Sequence, residues 1–328
     1  MRRRDALYRA YWTFAAERQR IFLRRVAGEP PPWTDDAILG RFKFTNAYRA
    51  SDRVSQFLIR DVIYTTGDFA PDDVLLRTVL FRLFSRPSTW RALERELGPI
   101  TRSTLRGNTV AKLLGRLQAE GRIYTSAFIL CANKAYGHER KHLNHLALVR
   151  HMFRRRGLPL AVSRARSMAK VYEALRTYPL IGPFMAYQLA IDINYSELTD
   201  FSEDEFTVPG PGAERGILKI FPAARRADMP RLIHWMSESQ ELEAARLGIE
   251  PPSLFGRRLH AIDCQSLFCE LDKYARVAFP QLKSNRQRIK TKFTPSPEPL
   301  PLFYPPKWGL NERLLEALRA QLETDLAA

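Results

Sequence analysis

The sequence predicts an all-α fold, and three observations carry the prediction. Apolar residues recur at three- and four-residue spacing along most of the chain. Ser, Gly and Pro fall where helices start and stop. At 328 residues and 45% hydrophobic composition, the chain can bury a sizeable core as one large or two closely packed domains. Charge narrows the partner. The chain sets 52 Lys and Arg against 35 Asp and Glu, a net +17, which points to a polyanion and above all to nucleic acid. Apolar runs fall short of a membrane span, so no membrane partner is expected. Met1-Arg2-Arg3-Arg4 has the look of a signal peptide start, but Glu17, Arg18 and Arg20 break the apolar segment such a signal needs. Cys131, Cys264 and Cys269 supply neither a disulfide framework nor a four-thiolate cluster. A cytoplasmic location and no cofactor are expected.

Residues 5–26 read as the first helix, with Leu7, Tyr11 and Phe14 on one face and Gly28 and Pro30-Pro31-Pro32 ending it. Ser51 is placed to cap a helix whose stripe is Val54, Phe57, Leu58 and Val62. Helices follow over 72–84, 89–97 (Ser88 as cap, Gly98 as stop) and 109–119. Residues 123–130 suit an extended segment and a buried helix equally. His138-Glu139-Arg140-Lys141-His142 matches H-E-x-x-H, the spacing that puts two zinc-binding histidines on one helix face. Arg140 and Lys141 would crowd such a cation with positive charge, and no third ligand follows. No metal is expected, and the stretch to Arg156 reads as a basic helix facing DNA.

The rest of the chain is arranged around residues 163–216. Ser163 is the candidate cap of a helix with Met168, Val171, Tyr172 and Leu175 inward. Tyr178-Pro179 stops it, because proline disfavours α geometry in the residue before it. After the turn Leu180-Ile181-Gly182-Pro183, a second helix runs through Phe184, Met185, Leu189 and Ile193. A helix N-terminus beside a glycine offers N–H groups to a phosphate, making Gly182 and Phe184 candidate DNA contacts; an ordinary αα-hairpin is the plain alternative. Asp200, Glu203, Asp204 and Glu205 follow on an otherwise basic chain. An acidic turn capping the next helix accounts for any one of them. As a group beside a phosphate-binding turn, they are candidate catalytic carboxylates.

Gly210 and Gly212 precede the next helix and can expose amides to phosphate, with Arg215 behind them. Helices are expected over 217–221, 229–247 and 261–278, the last offering Lys273 and Arg276 to DNA. Residues 280–308 are proline-rich and basic, a strap or linker, and Leu314, Leu315, Leu318 and Leu322 mark a final amphipathic helix. Earlier in the chain, Asn46, Tyr48, Arg49, Asp52 and Gln56 crowd an apolar stripe. They read either as a base-recognition pocket or as a buried Arg–Asp network. Three segments result: a basic N-terminal helix (1–40), a body (41–279), and the strap with its helix (280–328).

Tyr178-Pro179-Leu180-Ile181-Gly182-Pro183-Phe184-Met185-Ala186 resembles the hairpin of the helix-hairpin-helix DNA glycosylase superfamily, with Leu180 where that hairpin usually has its first glycine. Three further motifs resemble a branch labelled as the helical domain of 5-hydroxymethyluracil DNA kinases, related to thymine-hypermodification pyrophosphorylases. They are Phe44-Thr45-Asn46-Ala47-Tyr48-Arg49 with Asp52, Arg53 and Gln56; Phe201-Ser202-Glu203 with Phe206 and Val208-Pro209-Gly210-Pro211-Gly212-Ala213; and Cys269-Glu270-Leu271-Asp272-Lys273-Tyr274-Ala275-Arg276. The resemblance implies a helix-hairpin-helix glycosylase-like fold, two helical lobes with a central cleft, and action on phage DNA with altered pyrimidines.

The word kinase does not carry over, because the sequence has no G-x-x-x-x-G-K-[S/T] string. On the resemblance, the expected function is a monofunctional DNA N-glycosylase of antiviral defence. It would flip out and excise a 5-hydroxymethyl-derived pyrimidine, bare or glycosylated. Glu203, Glu205 and Asp204 would stabilise the sugar cation, and Asn46, Tyr48, Arg49, Asp52 and Gln56 would read the base. The expected partners are double-stranded DNA with modified bases and a separate DNA-modification or defence protein. The alternatives are a non-catalytic DNA-binding helical module and a base-hypermodification enzyme working with a separate DNA kinase.

Overall fold

A computed structural model describes residues 2–125, 134–282, 289, 291–295 and 301–327, with side chains described as far as Arg319. The fold is all-α: among the described residues, extended pairing is confined to two isolated bridges. In chain order the helices are α1 (Asp5–Val26), α2 (Ala37–Arg41), α3 (Arg53–Phe57), α4 (Pro71–Phe84), α5 (Pro87–Leu97), α6 (Thr109–Glu120) and α7 (Lys141–Met152). They continue as α8 (Leu158–Arg164), α9 (Met168–Arg176), α10 (Pro183–Asn194), α11 (Pro211–Ile220), α12 (Met229–Leu247), α13 (Ala261–Ala278) and α14 (Leu310–Ala327).

Proline sets several of the starts. In α4, α5, α8, α10, α11 and α12 it occupies the first turn, where its missing N–H breaks no helical hydrogen bond. For that reason α5 begins at Pro87 instead of behind a Ser88 cap, and α11 begins at Pro211, ahead of Ala213. Two other expected caps fail. Ser163 lies inside the short helix α8, and it is Ser167 that caps α9, accepting from Lys170 N at 3.3 Å. The Ser51 hydroxyl instead meets the Tyr304 hydroxyl at 2.9 Å. The Val54–Val62 stripe is α3 followed by a π-helical turn, Leu58–Ile63. The basic helix begins only at Lys141, so His138 and Glu139 precede it and the two H-E-x-x-H histidines do not share a helix face. His142 Nδ1 lies 2.7 Å from Gln118 Oε1. Of the ambiguous stretch 123–130, residues 126–130 lie outside the described residues, as does Cys131.

Contacts divide the chain into two compact units: residues 1–53 with 203–328, and residues 54–202. In the first, α13 is the axis. Tyr11 of α1 packs its ring 4.8 Å from Phe268 and donates its hydroxyl to Cys264 O at 3.1 Å. α11 lies so close to α13 that a Cβ on Gly216 would collide with Phe268 O, and one on Gly212 with Cys269 Sγ. The strap pairs with the chain after α2: Lys43 N donates to Thr291 O and Phe293 N to Arg41 O, both at 3.0 Å. In the second unit, α10 packs on α9 and α4. Arg82 of α4 donates from Nε and Nη2 to both carboxylate oxygens of Asp192 on α10, in a fully buried pair. One unpaired charge at this depth would destabilise by several kcal/mol, roughly 3–5.

Candidate nucleic-acid interface

The acidic loop is held inside the first unit. Asp204 accepts from Ser237 Oγ (2.8 Å), Arg258 Nη2 (2.6 Å) and Ala261 N (2.9 Å), and pairs with His260 Nδ1 (2.8 Å). Burial alone would raise its pKa. The hydrogen bond and charge of His260, with Ser237 and Arg258, outweigh burial and hold the carboxyl well below its usual range. Asp204 therefore anchors the start of α13. Glu203 is buried, with Oε2 accepting from Arg257 Nη2 at 2.9 Å. The Arg257 guanidinium in turn lies 3.9 Å over the Trp308 ring. Glu205 is exposed. The three candidate carboxylates thus have three different environments and converge on no common point.

The expected base pocket is largely interior. Tyr48 is 1% exposed and donates to Pro252 O (2.9 Å) and Arg257 O (2.7 Å). Arg49 is buried, and its backbone N–H donates to Asp263 Oδ1 at 2.9 Å. Burial pushes the Asp263 carboxyl up to about 6, with the Glu203 charge adding to it. Asn46 N donates to Asp52 Oδ1 (2.9 Å), and Asn46 Oδ1 accepts from Arg18 Nη2 (2.9 Å). Burial raises Asp52 to about 7. Gln56 is buried in the second unit. These contacts hold Asn46, Tyr48, Arg49 and Asp52 within the first unit.

The basic candidates of α11 and α13 are engaged in the same way. The fully buried Asp272 takes Arg215 Nε at 3.1 Å, Lys219 Nζ at 2.9 Å and Arg276 Nη2 at 2.6 Å. Lys273 Nζ donates to Glu270 Oε2 at 2.7 Å and lies 4.4 Å over the Phe44 ring. Gly210 is a buried N-cap, and Gly212 is filled by Cys269. These positions serve packing and charge pairing within the first unit.

The second unit presents a different surface. From Arg140 through Ile191 the sequence has ten Lys and Arg and one acid, Glu173, a local excess that charge summed over the whole chain concealed. Glu173 pairs with Lys170 at 2.7 Å. Arg154, Arg155, Arg156, Arg164 and Arg166 are exposed, and none pairs with a carboxylate among the described residues. The turn after α7 puts Arg156 at φ +59°, and a Cβ on Gly157 would collide with Met152 O. The end of α7 reaches the hairpin through Tyr178, whose ring meets His151 edge-on at 5.3 Å.

The hairpin itself runs over residues 177–182. Ile181 points into the core at 2% exposure, and its carbonyl accepts from Arg176 Nη1 at 2.5 Å. Leu180 stands at φ +72°, a region that costs a non-glycine residue about 1–2 kcal/mol. Gly182 is exposed at φ −73°, and a Cβ built there would meet no atom within 4 Å. An open backbone at the start of α10, in a unit that also carries this run of exposed arginines, suits a phosphate chain.

The chain belongs to the family described as "5-hmdU DNA kinase, helical domain", whose model matches residues 5–284. It is similar to the "5-hmdU DNA kinase" of Bacillus phage SP10, with 28% identity over 287 residues. That match takes in 82% of this chain and 45% of the phage protein, so the chain spans less than half the length of the curated relative it matches. No solved structure matches it. These findings overturn the assignment to the helix-hairpin-helix DNA glycosylases. The expected N-glycosylase or hydrolase activity, with base flipping and excision, falls with it: the family and the relative are named for a DNA kinase.

Proposed function

We propose that this chain is a DNA-binding helical domain that serves a kinase acting on 5-hydroxymethyl-deoxyuridine in DNA. In this reading it holds duplex DNA with the hairpin face of residues 140–191. The 5-hydroxymethyl group replaces the thymine methyl, so in a duplex it lies in the major groove. The domain's task is to grip the backbone and set the register, which phosphate contacts do without reading sequence. Phosphoryl transfer is assigned elsewhere, to a separate kinase chain or segment, because this sequence lacks the phosphate-cradling loop and lysine of a Walker motif. The observation that carries the proposal is the run of exposed arginines over residues 154–166, paired with no carboxylate among the described residues, in the same unit as an open Gly182. Gly182 and Phe184 are kept as DNA contacts.

The test is fluorescence anisotropy on a duplex containing 5-hydroxymethyl-deoxyuridine, across a salt series. Binding should weaken steeply with salt, each neutralised phosphate contributing about 0.9 to the log–log slope. Gly182→Leu adds a side chain into open space, so it should weaken binding while the fold persists. Salt-independent binding, or a Gly182→Leu variant that binds as the wild type does, contradicts the proposal.

A further inference from the structure

We infer that Leu180 is a wedge: an apolar side chain presented by the hairpin to DNA, lying against or between the bases of the strand whose phosphates the neighbouring arginines hold. This rests on the DNA-binding reading above and adds to it a contact with the bases.

The observation is a mismatch between residue and conformation. Leu180 occupies φ +72°, where glycine fits without penalty and asparagine with little. Gly182, two residues on, sits at φ −73°, which any residue adopts. The hairpin has its glycine where none is required and a leucine where one is. Burial does not explain the leucine. Ile181 is the hairpin residue that enters the core. Leu180 is half-buried, among the exposed Thr177, Pro179, Gly182 and Pro183.

Strained positions persist where the surroundings hold them and function uses them. Of the four non-glycine residues with positive φ among the described residues, two, Arg156 and Leu180, fall within the basic stretch 140–191. Tyr178 ties the hairpin to the end of α7, where the Arg156 turn begins, through its edge-on ring contact with His151. A half-buried apolar residue on a turn, in a unit rich in exposed arginines, matches the chemistry by which minor-groove proteins insert Leu, Ile, Phe or Pro at a base step. Pro179, exposed and adjacent, stiffens the approach.

The experiment uses the full chain and a duplex carrying 2-aminopurine, whose fluorescence rises when it is unstacked. Wild-type protein should bind and raise the signal. Leu180→Gly relieves the backbone strain, so its Tm should equal or exceed the wild-type value. Its affinity should fall on the order of tenfold, the loss of one anchoring apolar side chain, and the fluorescence rise should vanish. Leu180→Asn tolerates the same backbone and should behave alike, which guards against added flexibility in the glycine variant. If both variants lower Tm and leave affinity and signal intact, Leu180 is a core residue and the wedge is overturned. Wild-type binding without a signal, matched by equal binding of both variants, overturns the wedge alone. No binding by the wild type, on this duplex or on one containing 5-hydroxymethyl-deoxyuridine, overturns the DNA-binding reading together with it.

Discussion

The imidazole of His151 meets the ring of Tyr178 edge-on, at 5.3 Å and 83°, while its Nδ1 lies 2.9 Å from the Tyr136 hydroxyl. One ring thus braces the end of α7, the turn before it and the hairpin. Edge-to-face pairs contribute about 0.5–1.5 kcal/mol beyond their buried area. His151→Ala should therefore loosen the hairpin without unfolding the unit. Amide exchange should speed up across residues 178–186, and DNA affinity should fall several-fold. Unchanged exchange at the hairpin would show that the contact supports nothing.

Arg82 and Asp192 fix α4 to α10, the helix that begins at the hairpin. Asp192→Ala strands a buried guanidinium and should destabilise the protein by about 3–5 kcal/mol in urea denaturation. Asp192→Asn keeps one acceptor and should destabilise less. Equal stabilities for the wild type and both variants would mean that the pair is dispensable.

Asp52 gives a pH signature. Burial raises its folded-state value to about 7, against about 3.9 in the unfolded chain. The folded protein holds this proton more tightly, so the associated stability is full below about pH 4 and is lost as pH rises through about 7. Asp52→Asn keeps an acceptor for Asn46 N–H and abolishes the titration. Its unfolding free energy should gain on the wild-type value as pH climbs from about 5 to about 8, by an amount on the order of a few kcal/mol at saturation, and its Tm should rise relative to the wild type over the same range. Parallel Tm curves would contradict the account.

Much of the helical order was legible in the sequence, because the apolar spacing of α1, α12 and α13 and the Pro179 and Gly98 stops act locally. Residues 163–176 were misread because α8 and α9 are short, and the break at Ala165 is set by packing and the Ser167 cap instead of by proline or glycine. The site was harder. Glu203, Asp204 and Arg215 have the residue types of an active or binding site, and nothing local in the sequence says that Arg257, His260 and Asp272 neutralise them from 54, 56 and 57 residues away. Conversely, Arg154, Arg155 and Arg156 were read only as one end of a basic helix, because counting charge by helix hides that from Arg140 to Ile191 a single acid lies among ten cations. Leu180 was legible as a turn residue, and its conformation was not: only the backbone angle shows that it stands at φ +72°.

The central claim is that DNA lies on the hairpin face of residues 140–191, and photocrosslinking tests it most directly. A duplex carrying 5-iodouracil among 5-hydroxymethyl-deoxyuridine residues is irradiated with the full chain, and the linked peptides are mapped by mass spectrometry. The account predicts crosslinks at Tyr178, His151 or Tyr136 and in peptides spanning Arg154–Arg166 or Leu180–Phe184. Crosslinks confined to the Glu203–Glu205 loop and the helix beginning at Ala261, with none on the hairpin face, would contradict it.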